Sequence, residues 1–254
     1  MAKITTKELL DAGVHFGHLT RKWDPQMSPF IFMEKNGIHI IDLNKSLKHL
    51  EEAAAALQGV VRSGRKVMFV ATKKQAKEVV EEQAKKLKMP YVTERWLGGM
   101  LTNFATIRKS LKKMTSIDKL LKEDAYNNLA KREKLMLSRE RAKLERVLGG
   151  IADLNRLPAA LFVVDIKREH IAIAEAQKLN IPVFAMVDTN SNPNEVDYPI
   201  PANDDAFKSI SLITNYLSDA MEAGLGERKK EKEDSKIAEE AKRQKAEAVV
   251  EKKD

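Results

Sequence analysis

Apolar positions fall into two rhythms along the chain. Short, nearly unbroken apolar runs occur at Lys66–Ala71, Ala160–Asp165, Ile181–Asp188 and Gly37–Asp42. Runs of this kind suit strands covered on both faces, since a half-exposed strand alternates cleanly. Between the runs, apolar residues recur every three or four positions over 44–63, 74–88, 168–179 and 205–222, which predicts helices. Strand and helix alternate, so the predicted fold class is α/β with a doubly wound, mostly parallel sheet. Pro182 stands near the start of its strand, where a missing ladder N–H is tolerated.

The alternation breaks over 104–150. Ile107, Leu111, Met114, Ile117 and Leu121 form one stripe, and Leu137, Leu144, Leu148 and Ile151 form another. Asp124, Asn127 and Asn128 lie between them. This pattern predicts two antiparallel helices, an inserted coiled-coil-like hairpin whose narrow stripe suits one partner helix. From Gly224 onward the composition turns to Lys, Glu and Ala, which predicts either disorder or a single fraying helix. The expected organisation is an α/β domain from 1–103 and 151–222, a helical hairpin at 104–150, and a charged, disordered tail at 223–254.

Charge sharpens this picture. The 254 residues carry a net charge of +8, unevenly spread. Residues 1–102 hold +6, 103–150 hold +7, 151–222 hold −6 and the tail holds +1. A basic first half followed by an acidic portion argues for a polyanionic partner on one side of the molecule. The predicted hairpin carries Arg108, Lys109, Lys112, Lys113, Lys131, Arg132, Lys134, Arg139, Arg141 and Lys143 on its outer faces. A thin helical arm with such a surface makes sense lying on something anionic. There is no cysteine, which excludes a disulfide framework, a thiolate metal site and a cysteine nucleophile. The N-terminal MAKITTKELLDAG lacks the apolar core of a signal peptide, and no apolar run approaches the roughly 20 residues of a membrane span. The expectation is a soluble, cytoplasmic protein.

Candidate chemistry clusters at the carboxyl ends of the strands, the functional edge of open parallel sheets. Asp165 and Asp188 end two of them. A polar loop follows Asp188, and Asp204 or Asp205 is placed to cap the last helix. Near the N-terminus, Gly13-Val14-His15-Phe16-Gly17-His18 puts two histidines between glycines. If that loop lies over the same edge, a mixed His/Asp set can hold a divalent cation. The alternative is that each histidine only fixes a loop through one hydrogen bond.

Enzyme motifs are missing. There is no G-x-G-x-x-G, no G-x-x-x-x-G-K-[ST] and no G-x-S-x-G. Lys73-Lys74 at a helix start is placed to meet a phosphate through charge and free N–H groups, but without a glycine loop to cradle it. Gly98-Gly99 reads as a tight turn. Arg21-Lys22-Trp23 and Arg95-Trp96 set indole beside guanidinium in loops. Such pairs stack on bases and bind phosphates when exposed. Alternatively the Trp fills the core and the Arg snorkels outward.

Three long segments carry a resemblance: "GVHFGHLTRKWDPQMSPFIFMEKNGIHIIDLNKS" at 13–46, "ERWLGGMLTNFATIRKS" at 94–110 and "IPVFAMVDTNSNPNEVDYPIPANDDAFKSI" at 181–210. They resemble the signature segments of the bacterial second protein of the small ribosomal subunit, in order over about residues 5–222. The resemblance implies a flavodoxin-like α/β domain with an inserted helical hairpin. It implies a non-enzymatic, ribosome-bound protein that holds small-subunit ribosomal RNA and needs no cofactor or small-molecule substrate. It further implies neighbouring ribosomal proteins as partners, and a part in docking the large multi-domain RNA-binding protein that captures messenger RNA. By motif position, RNA contacts carry over to Arg21, Lys22, Trp23, Arg95, Trp96, Asn103, Arg108 and Lys109, with Lys112 and Lys113 as neighbours. In this setting GVHFGH is a rigid connection, with His18, Asp188 and Asp204 as candidate ligands of a structural divalent cation. The rivals are a nucleotide-binding enzyme acting on RNA and a free-standing RNA chaperone.

Overall fold

The computed structural model describes residues 4–121 and 130–250, with side chains described through Glu231. Five parallel strands form the central sheet: β4 (Val67–Val70), β5 (Tyr91–Val92), β6 (Ala160–Val164), β7 (Val183–Val187) and β8 (Tyr198–Pro201). Their spatial order is β5-β4-β6-β7-β8. Numbered from the first strand of this sheet, that is 2-1-3-4-5, the flavodoxin-like doubly wound order.

Both faces of the sheet are covered, which explains the unbroken apolar runs. Phe69, Phe162 and Phe184 point to one layer, packed by α2 (Leu43–Arg62), α3 (Lys77–Leu87) and the start of α7 (Phe207–Val250). Met68, Val70, Leu161 and Val163 point to the other, which is covered by α6 (His170–Lys178) and by the roots of α4 (Phe104–Leu120) and α5 (Lys131–Leu148). Every residue of β4, β6 and β7 is buried.

One predicted strand belongs elsewhere. Residues 38–41 form β3 (Ile38–Ile41), which lies outside the parallel sheet. It is the middle of a small antiparallel sheet with β1 (Phe16–Leu19) and β2 (Ile31–Lys35). The reason is visible in its burial. His39 and Ile41 are buried while Ile38 and Ile40 are only partly so, the alternation of a strand with one wet face. Two strands were missed in sequence. β5 is only two residues long, and β8 contains Pro199 and Pro201. β8 is an edge strand, where proline is permitted.

The break in alternation is a pair of helices. Ile107, Leu111, Met114 and Ile117 are the buried stripe of α4. Its root packs with Leu144, Val147 and Leu148 of α5 against the sheet. The two helices also exchange ion pairs, Lys113 with Glu140 and Arg141 with Asp118. Asp124, Asn127 and Asn128, expected between them, lie outside the described residues. The tail continues α7 to Val250, so of the two states expected beyond Gly224 the helix is the one described.

Candidate nucleic-acid interface and carboxyl-edge cluster

The N-terminal GVHFGH loop does reach the carboxyl edge, and glycine makes this possible. A Cβ on Gly17 would stand 2.5 Å from Thr189 Cγ2 and 3.0 Å from the His39 carbonyl. Gly13 adopts φ +73°, a left-handed turn after α1 (Thr6–Asp11). The His18 amide then donates to Thr189 Oγ1 at 2.8 Å. Its ring bridges two acids, with Nδ1 3.0 Å from Asp188 and Nε2 3.4 Å from Asp205. The hydrogen bond to Asp188 raises the His18 pKa, against the opposing effect of burial. His15 stays apart from this cluster. Its Nδ1 is buried without a partner and burial lowers its pKa.

The strongest cation of the edge is Lys73, one turn past β4. Its Nζ lies 2.6 Å from Asp204, 2.7 Å from Asp205 and 3.4 Å from Asp165. Burial works against its charge, yet Asp204 and its neighbours outweigh that and lift its pKa above the ordinary lysine value. Asp204 is itself fully buried, and burial followed by repulsion from Asp188 and Asp165 pushes its pKa up to about 7. Its Oδ2 has no hydrogen-bond partner.

Two expectations are corrected here. Lys73 meets carboxylates, not a phosphate. Nor do Asp204 and Asp205 cap the last helix. Asn203 turns the chain there instead, its Oδ1 accepting from the amides of Asp205 at 2.8 Å and Ala206 at 3.1 Å. The acids are left to face Lys73. Next to them, the buried carboxylate of Glu169 accepts the amide and hydroxyl of Thr72. Side chains of Lys73, Asp165, Thr72 and Glu169 thus fill the β4/β6 switch point, where sheets of this strand order take nucleotide cofactors.

The basic loop residues are presented outward. Arg21, Lys22 and Trp23 are exposed, with Trp23 at 40%. Their loop is tied down by the Asp24 amide, which donates to the Thr189 carbonyl at 2.8 Å. Arg95 is exposed but Trp96 is 6% exposed. This corrects the expectation of a stacking surface at Trp96, because its indole N–H points inward to Glu175 at 3.0 Å. Glu175 was invisible as a functional residue in sequence. Its carboxylate also accepts the amides of Gly99 at 2.7 Å, Leu101 at 2.9 Å and Thr102 at 3.0 Å, and the Thr102 hydroxyl at 3.1 Å. Burial alone would raise its pKa, but these donors outweigh it and hold it below the ordinary value. Glu175 therefore fixes the loop from Arg95 to the root of α4. Asn103 is exposed at that root, accepting from Thr106 Oγ1 at 2.9 Å. Arg108, Lys109, Lys112 and Lys113 are exposed along α4. Lys113 is bound to Glu140, whereas the other three have no carboxylate partner among the described residues.

Fold and surface together define a doubly wound α/β protein with a sealed ligand crevice and outward-facing cations, the features of an RNA-associated structural protein. Comparison with known proteins agrees. Residues 9–224 match the family described as ribosomal protein S2. Small ribosomal subunit protein uS2 of Cytophaga hutchinsonii is 70% identical over 244 residues, covering 96% of both chains. The uS2 proteins of Flavobacterium johnsoniae and Parabacteroides distasonis are 65% and 59% identical, covering 97% and 91% of those proteins and 97% and 99% of this chain. The chain belongs to the ribosomal protein S2 family, a family of ribosomal structural proteins and not of enzymes. No helix among the described residues is long and apolar enough to cross a membrane.

Proposed function

We propose that this ribosomal protein grips small-subunit ribosomal RNA electrostatically, through Arg21, Lys22, Trp23, Arg95, Asn103, Arg108, Lys109 and Lys112, while the sheet holds these groups in place. The carrying observation is the row Arg108, Lys109 and Lys112, exposed on α4 without carboxylate partners among the described residues. Cations not spent within the protein are the ones that release counterions from a phosphate backbone. Base readout is minor, because duplex RNA is recognised mainly by shape and by phosphate and sugar contacts. α4 and α5 act as one coiled-coil arm that extends this surface. Its 17- and 18-residue helices span about 25 Å at 1.5 Å per residue. Neighbouring ribosomal proteins, including the large multi-domain RNA-binding one, meet the acidic portion at 151–222, which repels RNA. Replacing Lys109 and Lys112 by Glu is expected to weaken incorporation into the small subunit and to flatten the salt dependence of RNA binding by about one log unit per charge lost. Unchanged incorporation and slope would overturn the reading.

A specific observation favours a second feature. His18, Asp188 and Asp204 each place one ligand atom within 4.8 Å of the others, and the Asp204 Oδ2 is buried and unpartnered. Nitrogen and carboxylate donors suit a borderline divalent cation such as zinc. These three residues would hold it, and it would neutralise the crowded carboxylates beside Lys73. Zinc titration by calorimetry is expected to release protons, because His18 and Asp204 both hold theirs more tightly than usual. Identical heats from the wild type and Asp204→Asn would remove the site.

A further inference from the structure

The amino edge of the sheet, opposite the His18 cluster, is lined by a second set of cations. Three hollows open there and share Lys66, the residue just before β4. The largest holds about 540 Å³ between the end of α2, the end of α3 and α7. Arg65, Lys66, Lys88, Arg156, Arg228 and Lys229 line these hollows. Only two carboxylates join them, Asp153 and Glu222, and Glu222 is already held by Lys86 at 2.8 Å. Lys85 is likewise taken by Glu81 at 2.6 Å.

Helix C-termini attract lysines, so part of this charge has a local explanation. Lys85 and Lys86 fit it, being in the last turn of α3. Lys66, Arg156 and Lys229 do not. Lys66 precedes a strand, Arg156 lies in the loop before β6, and Lys229 is in the middle of a helix. None of these three has a carboxylate partner among the described residues. The backbone beneath them is fixed, since the Ala159 amide donates to the Lys66 carbonyl at 2.9 Å. Gly64, at φ +82°, leaves room for the guanidinium of Arg228 against the main chain. A rigid groove with unpaired cations on three separate segments attracts a polyanion rather than a single counterion.

We infer that this amino-edge groove is a second RNA phosphate site, distinct from the α4 row and the carboxyl-edge loops. It rests on the proposed RNA-binding reading and extends it to a face that none of the motif-bearing loops reaches. The phosphate backbone lies along the Lys66-centred hollows, contacted by Lys66, Arg156 and Lys229.

The chain has no cysteine, so a directed hydroxyl-radical probe can be placed singly. The full-length protein with Lys66→Cys, and separately with Arg156→Cys, is loaded with tethered iron and assembled into small subunits. Lys109→Cys serves as the arm probe. All three positions are exposed, so the fold tolerates them. Cleavage of ribosomal RNA from both 66 and 156 is the expected result. Cleavage from 109 alone overturns the groove while sparing the RNA-binding reading. Cleavage from none of the three, in particles that contain the protein, overturns both. As a second measurement, the doublet Lys66→Glu/Arg156→Glu is expected to weaken RNA binding at least about tenfold at 0.1 M salt and to lower the salt slope by about two. An unchanged slope counts against the groove.

Discussion

Lys66 and Lys73 flank the same strand, and their fates differ completely. Lys73 sits at the carboxyl end of β4 among Asp165, Asp204 and Asp205, withdrawn from any outside partner. Lys66 sits at the amino end, exposed, with no carboxylate partner among the described residues. Charge in the sequence is therefore a poor guide to charge available for binding. What decides is whether the fold brings an acid to the same place. In the carboxyl edge the acids arrive from β6, β7 and the loop after β8, and they convert a cation into framework. At the amino edge those strands begin and supply fewer acids, so the cations remain open.

The sharpest way to break this contrast is to remove each lysine. Lys73→Ala leaves Asp204 buried beside Asp188 and Asp165 with its main counter-charge gone. Removing one partner of a buried pair costs about 3 kcal/mol or more. Lys66→Ala touches nothing of the kind and is expected to stay within about 0.5 kcal/mol of wild type. Urea denaturation of the two variants measures both. Equal losses would mean that the two edges are not different in kind.

Glu175 tests the next level, the fixing of a binding loop by a buried anion. Glu175→Gln keeps the shape but sets an amide N–H₂ against the N–H groups of Trp96, Gly99, Leu101 and Thr102. Buried donors left unpaired cost about 1–3 kcal/mol, so a loss near 2 kcal/mol is expected. Amide hydrogen exchange at Leu101 and Thr102 should accelerate in the same variant. Fast exchange only at distant amides would show that the carboxylate does not hold this loop.

These sites mark the limit of what the sequence conveyed. β4, β6 and β7 announced themselves because residues buried on both faces need no polar alternation. α4 announced itself through a stripe at three and four. β3 had enough apolar residues to pass for a fourth strand of the parallel sheet, and only its neighbours β1 and β2 revealed the separate sheet. Lys73 draws its partners from 92 to 132 residues away, a juxtaposition no local pattern encodes. Glu175 looked like any polar residue of a helix, since nothing near it in sequence shows that the 96–102 loop folds over it. Trp96 beside Arg95 looked like Trp23 beside Lys22, yet one indole is buried and the other 40% exposed.

pH probes the contrast less violently. His18 has a raised folded pKa, so its contribution is full below about 6.5 and is lost as pH rises through the folded value. Asp204 keeps a proton in the folded state that the unfolded chain gives up near 4, so stability falls as pH climbs from there toward 7. Asp205 and Glu175 have lowered values and lose their contribution only when pH drops below the ordinary carboxylate range. Between pH 6 and 8 the first two act alone and in one direction. The urea midpoint, taken with chelator present, is expected to be lower at pH 8 by an equivalent of about 1 kcal/mol. A flat midpoint would show that the carboxyl-edge cluster is not protonated in this way.

The smallest effect separates two lysines on one helix. Lys112 is exposed and unpaired among the described residues, while Lys113 is joined to Glu140 across the arm. An exposed ion pair contributes about 0–1 kcal/mol, so Lys113→Gln should scarcely move stability. Its effect on RNA binding should be smaller than that of Lys112→Gln, because freeing Glu140 offsets part of the lost cation and Lys113 was already neutralised. Both variants remove one charge, so net charge alone predicts identical salt slopes. A steeper slope retained by Lys113→Gln than by Lys112→Gln would place the difference in pairing, as the two edges of the sheet already do on a larger scale. Indistinguishable slopes would instead mean that the arm's ion pair opens when RNA arrives, and that only total charge counts.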